Sequence, residues 1–296
     1  MNGVLLVDKP TGLSSHQVVA RIRGQLHERR VGHAGTLDPD ASGLLVLGIG
    51  AGTRLLRFLV GLDKTYAATI RLGISTVTDD ASGDILRAPG CDPTTPIAAA
   101  LAEFTGPLMQ RPSSVSAIKV GGRRAHRRVR SGESVDLPER PVTVHDLQLL
   151  AATPRKVAAV AVLDLDVILT VSSGTYVRAI ARDLGTVLGT GGHLVALRRT
   201  AVGPFSVADA TAVDHVDSTS AVLPLGMVAE QVLPSEVLAD DECAAVRHGT
   251  RIPCGSDVRG PVALLSKSGD LLAVSDCSDG RWRHRYVVSS ATLDGP

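Results

Sequence analysis

Asp38 is the first candidate for a chemical role, because it lies in a segment, residues 31–43, that is too rich in Gly, Pro and Asp for regular structure. The following Pro39 pushes the backbone of Asp38 out of the helical region and so fixes its direction. A carboxylate in an ordered loop between core elements can act as a nucleophile or a proton acceptor. The alternative is an Asp-Pro turn whose carboxylate caps backbone amides, and taken alone this alternative is the commoner one.

Elements of both types surround this loop. Apolar runs predict buried strands at residues 4–7 and 44–47, and Ser14 or Ser15 can cap a helix that reaches about His27. The other predicted elements are helices at about 53–60, 95–106 and 175–188, and strands at 66–72 and 157–171. From about residue 234 the pattern changes to short strands with frequent Gly, Ser and Asp. We therefore predict an α+β domain followed by a small β-rich domain.

A basic run interrupts this pattern, with no acidic residue between Lys119 and Arg130. Its members are Lys119, Arg123, Arg124, His126, Arg127, Arg128 and Arg130. The net charge of the whole chain is only +1, so affinity for a polyanion would have to come from local clusters such as this one. A solvated surface face and a phosphate-binding face are both compatible with the run, although a merely solvated face usually contains neutralising acids.

Other features of the chain restrict the class of protein. The longest apolar stretches are far shorter than the roughly 18 residues of a membrane-spanning helix, and the start of the chain lacks a basic signal region. We therefore expect a cytoplasmic protein that does not associate with membranes. The four cysteines show neither CxxC nor zinc spacing, so we predict unpaired thiols, no structural disulfide and no metal site.

The loop motif G-H-A-G-T-L-D-P-D-A-S-G, residues 32–43, resembles the signature of the TruB family of tRNA pseudouridine synthases. Six further blocks are similar to segments of that family and follow the same order. They are G-V-L-L-V-D-K-P-T-G-L-S-S-H (3–16), K-T-Y (64–66), L-G through D-D-A-S-G (72–83), S-A-I-K (116–119), S-G-T-Y-V-R (173–178) and L-R-R-T (197–200). One block would be weak evidence, whereas seven in register are specific.

The resemblance implies a role for each matching residue. Asp38 corresponds to the catalytic nucleophile, Arg178 to the arginine that pairs with it, and Tyr66 to the tyrosine that stacks on the target base and acts in deprotonating its C5 atom. Tyr176 and Leu197 correspond to residues that line or pack against the same pocket. From helical or strand spacing alone, we would interpret Arg178 as a surface arginine. The same spacing would make the two tyrosines and Leu197 ordinary core residues.

Contacts to RNA are also implied by the resemblance. His33 and Arg54 match RNA-contacting positions, and Arg54 stands where many relatives have lysine. The residues Lys119, Arg127 and Arg128 belong to a segment, about 119–140, that corresponds to the family's thumb insertion over the tRNA T-loop. His126 appears where an aromatic residue is usual, and Val115 also departs from the pattern.

For the whole chain, the resemblance implies a pseudouridine synthase fold with a mixed, largely antiparallel central sheet flanked by helices. The catalytic domain would cover residues 1–229, and a small β-rich, PUA-like RNA-binding domain would cover 230–296. The implied activity is isomerisation of uridine 55 in the T-loop of tRNA, with contacts to the acceptor stem, no cofactor and no obligatory protein partner.

Two other functions are compatible with parts of the sequence. A tRNA-binding or tRNA-folding protein could use the same surface without catalysis, and it would tolerate loss of Asp38. An enzyme that hydrolyses N-glycosidic bonds would normally need a second positioned carboxylate, and Asp40, two residues away, has no motif support. Within the synthase interpretation, attack of Asp38 at C1′, attack at C6 and formation of a glycal all stay open.

Overall fold

The computed structural model describes residues 1–113, 137–255 and 259–288, together with the backbone of residues 119–120 and 123–124. The chain divides into two compact units. The first consists of Met1–Gly61 and Val202–Pro296, and the second of Leu62–Ala201.

Among its described residues, the first unit contains four α-helices and nine strands. The helices are α1 (Ser15–Gln25), α2 (Leu56–Leu59), α5 (Leu225–Val232) and α6 (Asp240–Arg247). The strands are β1 (Gly3–Lys9), β2 (Val31–His33), β3 (Ser42–Ile49), β13 (Phe205–Ser206), β14 (Thr211–Ala212), β15 (Ser235–Val237), β16 (Val262–Leu265), β17 (Leu271–Ser278) and β18 (Arg281–Val287).

The strands of the first unit form two sheets. In one, β1 is antiparallel to β3 and parallel to β14, and β2 is antiparallel to β3. Helix α1 packs its Val18, Val19 and Ile22 against the apolar side chains of β1 and β3. The helix starts where sequence analysis expected, because Ser14 accepts the amide of Gln17 and the Gln17 side chain accepts the amide of Ser14.

The second sheet has the order β15-β16-β17-β18 and confirms the predicted small β-rich C-terminal part. Its core surrounds Trp282, whose side chain is fully buried against residues of α6 and of the sheet. This part also corrects one prediction, since Cys254 and Cys277 form a disulfide bond. The spacing rules for cysteines missed the pair because the two residues are 23 positions apart and meet only across the folded sheet. Cys91 and Cys243 are free thiols, as expected.

Among its described residues, the second unit contains two α-helices and nine strands, the last of which ends one residue beyond the unit. The helices are α3 (Ile97–Glu103) and α4 (Val177–Val187). The strands are β4 (Lys64–Leu72), β5 (Ser75–Thr76), β6 (Ile85–Arg87), β7 (Gly106–Gln110), β8 (Lys119–Val120), β9 (Arg123–Arg124), β10 (Arg140–Val157), β11 (Val160–Val171) and β12 (Gly192–Val202).

The main sheet of this unit has the order β12-β4-β11-β10-β7, and the pairs β4–β11, β11–β10 and β10–β7 are antiparallel. The strand pairings of the two units and their helices confirm the expected α+β fold with a mixed, largely antiparallel sheet. Strand β4 alternates strictly, so that Lys64, Tyr66, Ala68, Ile70 and Leu72 are buried on one face. The predicted boundary at residue 230 lies within α5 and stays a prediction.

One predicted helix needs correction, and one long strand was not predicted. The helix expected at residues 53–60 is instead a 3₁₀ turn, Gly50–Arg54, followed by the single turn of α2. Gly48, Gly50 and Gly52 allow this tight path, because a side chain at Gly52 would collide with the backbone of Gly3. The long strand β10 was missed because its outer half is exposed and lacks the apolar alternation that marks a strand. Among the described residues, no helix is long and apolar enough to cross a membrane.

Candidate active site

The backbone of the Asp38 loop is held on both sides of the aspartate. On the N-terminal side, the buried Ser15 hydroxyl accepts the amide of Leu37 at 2.9 Å and donates to its carbonyl at 3.1 Å. On the C-terminal side, the carbonyl of Pro39 accepts the amide of Gly12 at 2.8 Å. Asp38 itself, between these two fixed points, is exposed to solvent.

Lys9 adds a cationic contact to the same loop. Its ammonium group is fully buried and donates to the carbonyls of Pro10, Leu13 and Pro39 at 2.9, 2.6 and 3.1 Å. Hydrogen bonds from a charged donor are stronger than neutral ones, and an ammonium has three hydrogens to satisfy. The K-P-T-G-L-S-S segment therefore folds around its own lysine and fixes the turn beside Asp38.

The other two predicted residues of the first unit lie in different settings. His33 ends β2 and is half-buried, and its ring meets that of His16 edge-on at 5.5 Å. Arg54 ends the 3₁₀ turn, donates to the carbonyl of Val287 at 3.1 Å, and lies 5.9 Å from the centroid of the Tyr286 ring. Burial raises the pKa of the Tyr286 phenol above its ordinary value, and Arg54 opposes that rise. The predicted RNA-contacting Arg54 thus already binds β18.

Arg178 is buried in the second unit, near the start of α4, with only 6% of its surface exposed. Its Nη1 atom donates to the carbonyl of Thr78 at 3.1 Å and lies 3.3 Å from the carboxylate of Asp80. Asp80 in turn accepts hydrogen bonds from Thr78 Oγ1 and from the amide and hydroxyl of Ser82. A buried guanidinium requires such partners, so the T-V-T-D-D-A-S-G segment, residues 76–83, holds Arg178 in place.

Asp79 has a second role in the same turn. Its backbone has a positive φ of 58°, and its carboxylate binds Arg182 of α4 at 3.2 Å. Burial raises the pKa of this carboxyl, and the charge of Arg182 opposes that effect. The two arginines of α4 are therefore each tied to one aspartate of the 76–84 turn.

Tyr66, Tyr176 and Leu197 belong to the same unit as Arg178. Tyr66 lies buried in β4 opposite Leu169 of β11, Tyr176 is half-buried at the N-cap of α4, and Leu197 is half-buried in β12. Several neighbours that hold Arg178 or Tyr176 had no predicted role, namely Asp80, Gln110 and Arg140. The first stands inside a recognised block, whereas the other two carry no signal in the sequence.

Lys64 is an unusual cation in this unit. It lies two residues before Tyr66 on the same face of β4 and donates to the carbonyl of Leu62. The positive charge of Arg199, which is also buried, acts on it. Burial, together with the charge of Arg199, lowers the pKa of Lys64 to about 8, and the nearby Asp63 opposes this shift.

The structure describes only part of the basic run, the backbone of residues 119–120 and 123–124. The backbone of Lys119 lies in β8, which pairs with β9, whereas Arg127, Arg128 and His126 lie outside the described residues. Within the described part of the chain, no group of three or more His, Cys, Asp or Glu side chains could hold a metal ion.

Known proteins resemble this chain over nearly its whole length. The model described as "TruB family pseudouridylate synthase (N terminal domain)" matches residues 23–177, and "tRNA pseudouridylate synthase B C-terminal domain" matches residues 178–238. The tRNA pseudouridine synthase B of Arthrobacter sp. (strain FB24) is 51% identical over 284 aligned positions, and the match covers 93% of this chain and 92% of that protein. The protein of the same name from Thermobifida fusca (strain YX) is 47% identical over 94% of this chain and 96% of its own.

A solved structure agrees with these matches. A chain of a Cbf5-Nop10-Gar1 complex superposes with a TM-score of 0.74 and 26% identity, covering 99% of this chain and 87% of that one. The fold is therefore that of the pseudouridine synthases. Within that class, this chain belongs to the TruB family of pseudouridylate synthases.

Proposed function

We propose that this chain isomerises uridine to pseudouridine at position 55 in the T-loop of tRNA, with Asp38 as the attacking carboxylate. One observation carries the assignment of Asp38: its side chain is exposed while the backbone on both sides is fixed by buried Ser15 and Lys9. A positioned nucleophile with an accessible carboxylate is what such a reaction requires. Family membership supplies the reaction and the class of RNA.

The isomerisation breaks the bond between C1′ and N1 of the uridine and forms a bond between C1′ and C5. The base loses a proton from C5 and gains one at N1, so atoms and electrons balance without a redox partner. The enzyme must therefore supply a nucleophile, a proton acceptor and a pocket for a base taken out of its stack.

We assign the other roles by the same resemblance. Arg178 stabilises the Asp38 carboxylate, Tyr66 stacks on the base and acts in the loss of the C5 proton, and Tyr176 and Leu197 line the pocket. The burial of Arg178 and its ties to Thr78 and Asp80 support a fixed cation at that position. Geometry that is fixed before the substrate binds lowers the barrier, because it need not be organised during the reaction.

We assign contacts with tRNA to His33, Arg54 and the basic residues Lys119, Arg127 and Arg128. Phosphate contacts from such residues give affinity that falls with salt. Arginines 281, 283 and 285 of β18 are further candidates, at the acceptor stem, although Arg285 also binds Asp276 at 2.7 Å. Because tRNA is a cytoplasmic substrate, we place the enzyme in the cytoplasm.

The first test uses tRNA that carries tritium at C5 of uridine. We expect the native protein to release this tritium and Asp38→Asn to release it at least about 1,000-fold more slowly, as for loss of other enzymatic nucleophiles. Asp40→Asn is the matched control, since Asp40 is exposed in the same loop, and it should keep the native rate.

Each outcome of this test bears on a different part of the proposal. Retention of tritium by the native protein would refute the isomerisation. A native rate in Asp38→Asn would refute only the role of Asp38 and would leave the isomerisation itself standing. Mapping of the modified nucleotide checks position 55, and tRNA refolding by Asp38→Asn would reveal a folding activity independent of catalysis.

A further inference from the structure

Gln110 holds the backbone of Tyr176 from both sides. The Tyr176 amide donates to Oε1 of Gln110 at 2.8 Å, and Nε2 of Gln110 donates to the Tyr176 carbonyl at 3.1 Å. Gln110 is the last residue of β7 and is buried, with 3% of its surface exposed. A buried amide whose donor and acceptor are both used fixes the residue it grips, because any displacement would break both hydrogen bonds.

Arg140 holds the side chain of the same tyrosine. Its guanidinium carbon lies 4.8 Å from the centroid of the Tyr176 ring, within the range of a cation–π contact. Nη2 of Arg140 donates to the carbonyl of Gly174. Nε of Arg140 is buried and has no acceptor among the described residues, so the ring and Gly174 provide the contacts that orient the guanidinium.

The turn that precedes Tyr176 is fixed by the same strand. The Ser172 hydroxyl accepts the amide of Thr143 in β10 at 2.8 Å, and the Thr175 hydroxyl donates to the carbonyl of Ser172 at 2.9 Å. Gly174 has a φ of +94°, which favours glycine in this turn. Tyr176 makes no side-chain cap of its own at the start of α4, so these contacts from β7 and β10 fix its position.

Gln110 and Arg140 are direct neighbours in the sheet, since they face each other in the β7–β10 pair. Together they grip one residue at three places: its amide, its carbonyl and one face of its ring. An arginine over an aromatic ring restricts both tilt and rotation of that ring. Gln110 and Arg140 themselves lie outside the seven sequence blocks that carry the family resemblance.

We propose that Gln110 and Arg140 are positioning residues that set the plane of the Tyr176 ring as a wall for the target uracil. The inference rests on the proposed function and deepens it, since it assigns two residues that act through a third. Base–aromatic contact depends on the plane of the ring, so a loosened ring should slow the reaction more than it weakens tRNA binding.

The test compares Gln110→Met, which is close in length to the native side chain, with Arg140→Met, which keeps only the unbranched aliphatic part; both variants lose the polar contacts. We expect each to lower the single-turnover rate of pseudouridine formation about 10- to 100-fold, the cost of a small misplacement in an active site. The dissociation constant for tRNA should stay within about twofold of the native value. Arg155→Met is the matched control on the same strand, because Arg155 is exposed and binds Asp164, and it should keep the native rate.

The decisive arm repeats both substitutions in a Tyr176→Ala background. If Gln110 and Arg140 act through the tyrosine, each should lower the remaining rate by less than about twofold there. Full additive losses in that background would overturn the inference, as would native rates in the single variants or a loss confined to tRNA affinity. Failure of the proposed function is distinct, because then the native protein itself would form no pseudouridine.

Discussion

At the scale of single residues, charge is placed differently in the two compact units. The first presents an exposed carboxylate, Asp38, on a backbone held by a buried ammonium group. The second holds buried cations, Arg178, Arg199 and Lys64, inside its own fold. A buried cation is tolerated only where hydrogen bonds or opposite charges compensate its desolvation, and Thr78 and Asp80 do so for Arg178.

At Lys64 the free-energy cost of burying a cation can be measured through the pH dependence of stability. Its pKa in the folded protein is about 8, against 10.5 for an ordinary lysine, so between these two values the unfolded chain binds more protons at this site than the folded one. Stability therefore rises with pH across that window at this site, and the unfavourable effect is fully present below pH 8.

We predict that Lys64→Met removes this contribution. The free energy of unfolding is measured with urea at pH 7 and at pH 9.5. The change from pH 7 to pH 9.5 should be less favourable in the variant than in the native protein, because the variant lacks the rise that Lys64 contributes. Lys156→Met, at an exposed position on β10, is the control and should follow the native protein. An identical pH response in all three proteins would contradict the assigned pKa.

The sequence was informative about residues whose role depends on a local motif. Asp38, Tyr66 and Arg178 could be selected because each stands in a contiguous block, and their catalytic roles stay predictions. Gln110 and Arg140 could not be selected, since their partner Tyr176 is far away in the chain and only the sheet brings them together. The Cys254–Cys277 disulfide was mispredicted for the same physical reason.

At the scale of elements, helix α4 is the part of the second unit whose placement matters most. It begins directly after Tyr176, carries Arg178, and packs against the turn at Gly191 and Gly192. A Cβ atom added to Gly185 would lie 2.2 Å from the backbone of this turn. The helix can approach so closely only because Gly185 has no side chain.

We predict opposite effects for two Gly→Ala substitutions within helices. Gly185→Ala should destabilise the protein by about 1–3 kcal/mol, because backbone cannot move aside for the new methyl group. Gly24→Ala in α1 should stabilise it by about 0.5–1 kcal/mol, because nothing lies near the added methyl group and alanine is the better helix former. Urea unfolding measures both values.

Activity should separate the two variants as well. Displacement of α4 would move Arg178 and Tyr176, so Gly185→Ala should also slow tritium release, whereas Gly24→Ala should not. If both substitutions stabilised the protein equally, the close packing of α4 would be disproved.

Among the elements, those with a clear apolar period were predicted best: β1, β3, β4, α1 and α4 all lie within a few residues of the expected bounds. The helix predicted at residues 53–60 is only the end of the 3₁₀ turn Gly50–Arg54 and the single turn of α2, because the same apolar spacing serves both kinds of helix. The tight path of the 3₁₀ turn is dictated by contact with β1, which the local sequence does not reveal.

At the scale of the whole molecule, the first unit is assembled from two distant parts of the chain. Val7 of β1 pairs with Thr211 of β14, and Val4 bridges to Leu223. Pairing of such distant segments costs loop-closure entropy and slows folding relative to local contacts. The C-terminal sheet of this unit has an additional constraint in the Cys254–Cys277 disulfide, which links residues 23 positions apart.

We predict that this disulfide contributes about 3 kcal/mol to the stability of the oxidised protein, the expected value for a loop of this length. Addition of a reductant should lower the urea midpoint of the oxidised protein accordingly. Cys277→Ser should show no response to the reductant, whereas Cys91→Ser, which alters a buried free thiol, should respond as the native protein does. A response that persists in Cys277→Ser would rule out this bond as its source.

The fixed backbone beside Asp38 also affects where harmful mutations should fall. Ser15 and Lys9 bind main-chain atoms of the 37–39 segment, and Lys9 also binds the carbonyls of Pro10 and Leu13. A random mutagenesis screen for lost tRNA modification should therefore recover changes at these two positions in protein that still accumulates in the cell. Such alleles would resemble active-site lesions, although neither side chain is assigned a part in the chemistry.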